Sequence, residues 1–272
     1  MLRKTAKIRA KEGFDLANNI KITPKTKKSD KIIIIFKKAP GCATIYKEEN
    51  LQSEVITELK NKTVIFLGDS ITQGVGASSV ENCYVSLFQK AHPEARVHNF
   101  GISGTRIAMQ LKPSANSSWD KYFASRIFDM PKEADLICIF GGTNDHGHGD
   151  APFGSIDDTD GYSFSGGLND LYTQLIEKYP IAKIVVFTPT HKTAENELHE
   201  KPDGAFTLKD YVERIRETAE KFSLPVLDLY ASSGIQPLIP IHKDLYMPDG
   251  LHPSDAGYQR LFEVIDAFIK AL

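Results

Sequence analysis

Four short segments of the sequence contain side chains that together could hydrolyse an ester. The first, "GDSIT", places Ser70 directly after the apolar run "VIFL". A serine hydroxyl is a weak nucleophile near neutral pH and needs a base to accept its proton. His252 in "DGLHP" is the candidate base, and Asp249 could orient its imidazole and stabilise the imidazolium. We therefore predict that Ser70, Asp249 and His252 are catalytic.

The two remaining segments, "GISG" and "GGTND", could stabilise the oxyanion that attack on a carbonyl creates. Its candidate donors are the backbone N–H groups of Ser70 and Gly104 and the side-chain amide of Asn144. Glycine suits the second position because a backbone donor there must approach the substrate without a Cβ in between. Each segment alone is more commonly a turn or a helix cap, so it is the ordered set that indicates chemistry.

The elements that must position these segments alternate between short apolar runs and segments of helical period, which indicates a parallel sheet covered by helices. Four of the five predicted strands are nearly continuous apolar runs, as buried parallel strands are. Ligands of such sheets bind beyond the carboxyl ends of the strands, where all four segments lie. The strands are "TVIFLG" (63–68), "RVHNFG" (96–101), "DLICIFGG" (135–142), "KIVVFTP" (183–189) and "PVLDL" (225–229).

Apolar residues at helical spacing predict the covering helices. One contains Val80 to Ala91, one ends before Pro180, one begins near Thr207 with a capping arrangement in "TLKD", and the last begins near Ser254. These apolar stripes are typical of helices that pack on a core. They do not indicate a cofactor site.

The four segments, in this order, resemble the blocks of the GDSL family, also called SGNH hydrolases. The matching residues are Ser70 in "GDSIT", Gly104 in "NFGISG", Asn144 in "GGTND", and Asp249 with His252 in "DGLHP". Isoleucine replaces the leucine of "GDSL". The resemblance covers about residues 62–270. It implies a flavodoxin-like three-layer α/β/α sandwich whose five-stranded parallel sheet has the strand order 2-1-3-4-5. It also implies serine-dependent ester hydrolysis.

The resemblance does not determine the substrate, because the family includes lipases, thioesterases, lysophospholipases and carbohydrate deacetylases. The segments after the third and fourth strands mix polar and aromatic residues and contain no long apolar lid. We therefore expect short acyl groups such as acetyl on a polar or carbohydrate scaffold, with a lysophospholipase or thioesterase as the alternative. The mechanism requires no metal and no cofactor.

Residues 1–60 are not covered by the resemblance. Short β-prone runs between turn signals predict a β-rich appendage at 1–48, followed by a connecting helix at 49–61 and the catalytic domain at 62–272. Residues 1–40 contain twelve Lys or Arg and three acidic residues. Lysines on the solvent side of short strands explain this better than an arm for an anionic polymer or membrane surface. The appendage is a candidate contact between copies of the chain.

Composition and cysteine content favour an ordinary globular protein. Of 272 residues, 41% are hydrophobic and 25% charged, and the formal net charge is −2. Cys42, Cys83 and Cys138 have no zinc-site spacing, and their odd number does not suggest a disulfide scaffold. We see no signal peptide, and "IIIIF" is too short to span a bilayer. We therefore expect a cytoplasmic protein that binds a small-molecule ester, with no membrane span and no nucleic-acid partner.

Other functions fit these residues less well. A flavodoxin-like ligand-binding module would explain the fold but leaves Asn144, Asp249 and His252 without a role. The segment "NDHGHGD" offers metal ligands from one loop only, whereas metal sites usually draw on several. A catalytically silent carbohydrate-binding protein would not need all four segments. The G-x-S-x-G motif of α/β-hydrolases is absent from the sequence.

Overall fold

A parallel sheet forms the centre of the protein in the computed structural model, which describes residues 59–272. Five strands lie in this sheet in the order β2-β1-β3-β4-β7, and two others form a separate antiparallel hairpin. The predicted order is therefore confirmed. The strands are β1 (Thr63–Gly68), β2 (Arg96–Gly101), β3 (Leu136–Phe140), β4 (Lys183–Phe187), β5 (His199–Lys201), β6 (Gly204–Phe206) and β7 (Val226–Leu227).

Helices connect the strands, and the four longest correspond to the four predicted from apolar spacing. The first of these begins at Tyr84, because Val80–Asn82 forms a separate 3-10 turn. The helices are α1 (Ser70–Gln73), α2 (Tyr84–Ala91), α3 (Thr143–Gly147), α4 (Phe164–Lys178), α5 (Leu208–Lys221), α6 (Leu229–Ser232), α7 (Pro240–Tyr246) and α8 (Asp255–Lys270). Further 3-10 turns occupy Ser117–Asp120 and Ala124–Asp129.

Two apolar layers cover the sheet, one on each face. Side chains alternate along a strand, so Ile65 and Leu67 of β1 pack in one layer, and Val64 and Phe66 in the other. Helices α4 and α5 complete the first layer, and helices α2 and α8 complete the second. The result is the three-layer α/β/α sandwich that the sequence predicted, with the central strands β1 and β3 fully buried.

Both edges of the sheet differ from its centre. Strand β2 is partly exposed, in agreement with its less apolar sequence. Strand β7 has only two residues, so the predicted strand at 225–229 was too long. Helix α6 begins at Leu229, so the last predicted strand residue is the first residue of a helix.

The predicted appendage at 1–48 and most of the connecting helix at 49–61 lie outside the described residues. Residues 59–61 form a turn. In the described part, Cys83 and Cys138 are buried and unbridged. None of the helices described is both long enough and apolar enough to span a bilayer.

Candidate active site

The ends of three neighbouring strands lie level with one another and bring the first three segments together. Gly68, the last residue of β1, pairs with Gly101 of β2 and with Phe140 of β3. Each of these strands therefore releases its following loop at the same edge of the sheet. Ser70, Gly104 and Asn144 stand two to four residues beyond these ends, at the edge where ligands of parallel sheets bind.

Ser70 is the first residue of α1, and the turn that places it there is held by Asp69. The Asp69 carboxylate accepts the backbone N–H of Ile71 at 3.0 Å and caps the helix. Asp69 and Ser70 are both buried, and only 6% of Ser70 is exposed. The hydroxyl is thus held in a fixed position at the carboxyl edge of the sheet.

A chain of two hydrogen bonds joins Ser70 to His252 and Asp249. The distance from Ser70 Oγ to His252 Nε2 is 3.0 Å, and that from His252 Nδ1 to Asp249 Oδ2 is 2.7 Å. An ionised carboxylate can only accept, so Nδ1 carries the proton. In the neutral imidazole, Nε2 then has a free lone pair and accepts from the serine hydroxyl. This tautomer is the one that a base acting on Ser70 needs.

Asp249 also shapes the turn that carries His252. Its Oδ1 accepts the backbone N–H groups of Leu251 and His252 at 2.8 and 2.7 Å. Gly250, the residue after Asp249, has a φ of +82°, and a Cβ there would overlap the side chain of Thr193. Glycine is therefore required at this position for both backbone angle and space. One carboxylate thus orients the imidazole and holds its own turn.

The hydrogen bonds of Asp249 keep its carboxyl ionised. Partial burial alone would raise the pKa of Asp249, but the imidazole of His252 and the N–H groups of His252 and Leu251 outweigh burial, and the pKa lies below 3.8. The carboxylate is therefore negative throughout the neutral range and can stabilise a positive charge on His252.

The candidate oxyanion donors lie on two loops that are bonded to each other. Asn144 Nδ2 donates to Thr105 O at 3.0 Å, which uses one amide proton and leaves the second for a ligand. Gly104 has a φ of +75°, and a Cβ on it would overlap the indole ring of Trp119. Only glycine fits there. The third donor, the N–H of Ser70, belongs to the first turn of α1, where amides have no partner within the helix.

Asp145, next to Asn144, joins the same pair of loops through hydrogen bonds to the backbone. It is buried, and its two carboxylate oxygens accept the N–H groups of Ile107 and Ala108 at 3.0 and 2.9 Å. Burial raises the pKa of Asp145, and these two N–H groups oppose that effect. Helix α3 is thereby fastened to the loop that contains Gly104.

Arg126 joins the ends of β1 and β2 to the Gly104 loop. Its Nη1 donates to Gly68 O at 3.0 Å and to Phe100 O at 2.6 Å, and its Nη2 donates to the hydroxyl of Thr105 at 3.3 Å. The residue is 3% exposed, and burial lowers the pKa of its guanidinium to about 10. Arg126 is therefore still a cation at neutral pH, held beneath the candidate site.

Two lysines contact the carbonyl groups of α3. Lys201, from the hairpin of β5 and β6, donates to Asp145 O at 2.8 Å and to Gly149 O at 2.5 Å. Lys192 lies 3.4 Å from Thr143 O, and burial lowers the pKa of its amine to about 8. Lys201 lies at the carboxyl end of α3, where a cation is favourable because that end has a partial negative charge, whereas Lys192 contacts the first residue of the helix.

The side chains of "NDHGHGD" point to separate partners and do not converge on a metal. His146 Nε2 bonds to Glu197 O at 3.1 Å, His148 Nδ1 to Arg106 Nη1 at 3.0 Å, and Asp150 accepts the N–H groups of two residues of another loop. Burial lowers the pKa of His146 to about 3. Within residues 59–272, no group of three or more His, Cys, Asp or Glu is arranged to hold a metal.

Comparison with known proteins agrees with this architecture. The GDSL-like Lipase/Acylhydrolase family matches residues 66–260. One solved structure is 34% identical, with a TM-score of 0.69, and covers 79% of this chain and 98% of its own. A protein from Lactobacillus plantarum is 28% identical, with a TM-score of 0.66, and covers 78% and 98%. The chain belongs to the GDSL-like lipase/acylhydrolase family, as its four segments suggested.

A more distant structure shares the fold with this chain. It is a two-domain esterase active on acetylated mannans, 20% identical, with a TM-score of 0.51, and the match covers 80% of this chain and 51% of that protein. A comparison with curated proteins finds no match.

All five positions assigned to the site from the sequence lie at this one edge of the sheet. Sequence reasoning did not find Arg126, Lys192 and Lys201, which support them. These residues carry no recognisable spacing, since their partners are mostly backbone carbonyls rather than side chains. Asp145 belongs to "NDHGHGD", a pattern that indicates metal ligands, although its position beside Asn144 could also indicate support for that residue.

Asp69 combines a structural bond with an unfavourable charge. Burial raises the pKa of Asp69 to about 6, although the N–H of Ile71 and the charges of His252 and Arg126 favour the carboxylate. An unfolded aspartate has a pKa of about 3.9. Between about pH 4 and pH 6 the folded protein therefore keeps a proton that the unfolded chain has lost. The free energy of unfolding falls as the pH rises through this window.

We expect Asp69→Asn to stabilise the protein above pH 6 and to change its stability little below pH 4. Asparagine keeps an oxygen that can cap Ile71 but does not ionise. The gain at pH 7 should be about 1–3 kcal/mol, from the size of the pKa difference. Urea unfolding at pH 4, 5, 6 and 7 measures it, with the exposed Asp129→Asn as the control for loss of one carboxylate. A gain that is the same at every pH would contradict the prediction.

Proposed function

We propose that this protein is a serine esterase that cleaves carboxylic esters through an acyl-enzyme. The observation that carries the proposal is the pair of hydrogen bonds from Ser70 through His252 to Asp249, found in a member of a lipase and acylhydrolase family. A hydroxyl, an imidazole in the required tautomer and an ionised carboxylate are the three groups that nucleophilic hydrolysis of an ester needs.

In the first half of the reaction, Ser70 Oγ attacks the carbonyl carbon while its proton passes to His252 Nε2. The carbonyl oxygen becomes an oxyanion and is met by the N–H groups of Ser70 and Gly104 and by the Nδ2–H of Asn144. Asp249 stabilises the imidazolium. When the intermediate collapses, His252 gives the proton to the leaving alkoxide, and an alcohol departs from the acyl-enzyme.

In the second half, His252 Nε2 takes a proton from water, and the resulting hydroxide attacks the acyl carbon. The same three donors stabilise the second oxyanion. Collapse breaks the bond to Ser70 Oγ, which regains its proton from His252, and the carboxylic acid is released. No step requires a metal or an organic cofactor.

For the substrate, we propose a short acyl group such as acetyl on a polar or carbohydrate scaffold. Polar and aromatic residues dominate the segments at 151–164 and 191–206, the second of which contains the two lysines that contact α3. A protein with the same fold acts on acetylated mannans, which gives the carbohydrate scaffold a precedent in this architecture. A lysophospholipase or thioesterase is the second candidate, since the family name includes acylhydrolases.

We expect Ser70→Ala to abolish hydrolysis of p-nitrophenyl acetate without unfolding the protein. The variant removes the nucleophile and one hydrogen bond, and Ser125→Ala, which removes an exposed hydroxyl, is the matched control. Hydrolysis rates and thermal melts of both variants make the test. Turnover of Ser70→Ala at the rate of Ser125→Ala would exclude the acyl-enzyme, and a ligand-binding module would be the better description.

We expect Asn144→Ala to lower kcat by about 10²–10³, as loss of one oxyanion donor does in other serine hydrolases. KM should change less, because the bond to the oxyanion forms only in the transition state. Asn82→Ala is the control, since its amide bonds to Ser78 and Asp255 instead. An unchanged kcat would remove Asn144 from the oxyanion hole.

We expect kcat/KM to fall as the acyl chain of a p-nitrophenyl ester lengthens from two carbons to eight, and we expect activity on acetylated sugars. The physical reason is the polar character of the segments around the site, which offer a long chain little apolar surface. Initial rates over the series, at concentrations below micelle formation, measure the preference. Higher kcat/KM for the eight-carbon ester would favour the lysophospholipase or thioesterase alternative.

A further inference from the structure

Trp119 lies directly on a candidate oxyanion donor. Its indole packs on Gly104 so closely that a Cβ at that position would overlap ring atoms Cδ1 and Nε1. Trp119 is the only tryptophan of the chain. It lies in the 3-10 turn Ser117–Asp120, part of the long segment between β2 and β3 in which the sequence pattern assigns a role to Gly104 alone.

His148 lies against the indole and places a second ring beside it. The centroids of the two rings are 5.0 Å apart, and their planes are tilted by 41°. His148 directly follows α3, and its backbone N–H bonds to Asn144 O at 3.0 Å. The pair of rings therefore runs from one candidate oxyanion donor, Gly104, to the neighbourhood of the other, Asn144.

Arg106 holds the two rings in place. Its Nη1 donates to His148 Nδ1 at 3.0 Å, and its Nη2 donates to Trp119 O at 3.3 Å and to Asp120 at 3.0 Å. The guanidinium is a donor only, so His148 Nδ1 must accept and the imidazole is neutral. Arg106 is 2% exposed. This buried cation bonds to the imidazole of His148, to the backbone of Trp119 and to Asp120, so it fixes the segment that carries the two rings. We call the surface formed by the rings of Trp119 and His148 the aromatic wall.

The stereochemistry of the proposed reaction relates the aromatic wall to the acyl group of the substrate. The reacting carbon has four substituents: Ser70 Oγ, the oxyanion, the leaving oxygen and the acyl chain. The oxyanion lies among its three donors, and the leaving oxygen must reach His252 Nε2 to receive a proton. The acyl chain takes the remaining direction, away from His252. Trp119, which packs on the donor Gly104, is an aromatic side chain available to bound that direction.

We propose that Trp119, backed by His148, closes the acyl side of the site and restricts the substrate to short acyl groups such as acetyl. The inference rests on the proposed esterase function and assigns its chain-length specificity to one residue. A longer chain would have to displace the indole, which is in contact with both Gly104 and His148. A two-carbon acyl group needs no such movement.

Replacement of Trp119 by alanine should therefore shift specificity toward longer chains. Each methylene that gains apolar cover raises kcat/KM by about fourfold, so cover for two methylenes raises it by about fifteenfold. We expect the ratio of kcat/KM for the eight-carbon and two-carbon p-nitrophenyl esters to rise by at least about tenfold in Trp119→Ala. Trp119→Phe, which keeps a smaller ring, should show a lesser rise and serves if the alanine variant does not fold.

Phe128→Ala is the matched control, because Phe128 is an aromatic residue of the next 3-10 turn and is 91% exposed. Its ratio should equal that of the wild-type protein. If Trp119 only supports Gly104, its replacement lowers kcat for every ester equally and leaves the ratio unchanged, and this outcome overturns the inference while the esterase function stands. Absence of ester hydrolysis by the wild-type protein would overturn both.

The single tryptophan also allows a test that does not depend on turnover. Alkylboronic acids form tetrahedral adducts with an activated serine and carry an alkyl chain in place of the acyl group. Methylboronic acid should change the tryptophan emission of the wild-type protein but not of Ser70→Ala, and octylboronic acid should bind more weakly. Inhibition by methylboronic acid with no change in emission would show that Trp119 is remote from the acyl group.

Discussion

The hydrogen bond between Ser70 and His252 joins residues 182 positions apart, and the rest of the candidate site depends on it. It forms because α1 and the turn before α8 reach the same edge of the sheet from different sides. Helix α8 packs on the face of β1 that contains Val64 and Phe66. Tyr258 of α8 adds a direct tie, since its hydroxyl donates to Val75 O at 2.7 Å just beyond α1. The position of the imidazole is therefore set by the packing of a whole helix.

Buried charges beneath the site bind loops together through the backbone. Arg126 and Lys201 donate mainly to carbonyl groups, and Asp145 accepts from amides, so within residues 59–272 each charge is satisfied without an opposite charge at contact distance. Breaking such a charge from its partners leaves a desolvated ion, which costs several kcal/mol. This arrangement holds Gly104 and Asn144 at a fixed separation. Preorganised donors of this kind stabilise a developing charge without rearrangement at the moment of reaction.

The sequence predicted the central elements well because their signals are local. Continuous apolar runs defined β1, β3 and β4, and helical spacing defined α4, α5 and α8, while the order of the four segments indicated family and site. The hairpin of β5 and β6 and the role of Trp119 could not be predicted in this way. The hairpin has three-residue strands outside the main sheet, and Trp119 meets Gly104 only through tertiary packing. The supporting cations were missed for the same reason: a bond to a backbone carbonyl leaves no pattern in the side chains.

The signs of the buried charges suit the proposed chemistry. An oxyanion at Ser70 would lie in a region where Arg106, Arg126, Lys192 and Lys201 surround the loops of Gly104 and Asn144. Coulomb energies are larger in a buried site than in water, so these cations favour negative charge even without direct contact. The negative Asp69 and Asp145 oppose this field, and burial raises the pKa of each although the nearby cations lower it. Cations that bond to the carbonyl groups of these loops therefore hold the donors rigidly and also provide a favourable field. Carboxylates in the same places would raise the energy of the oxyanion.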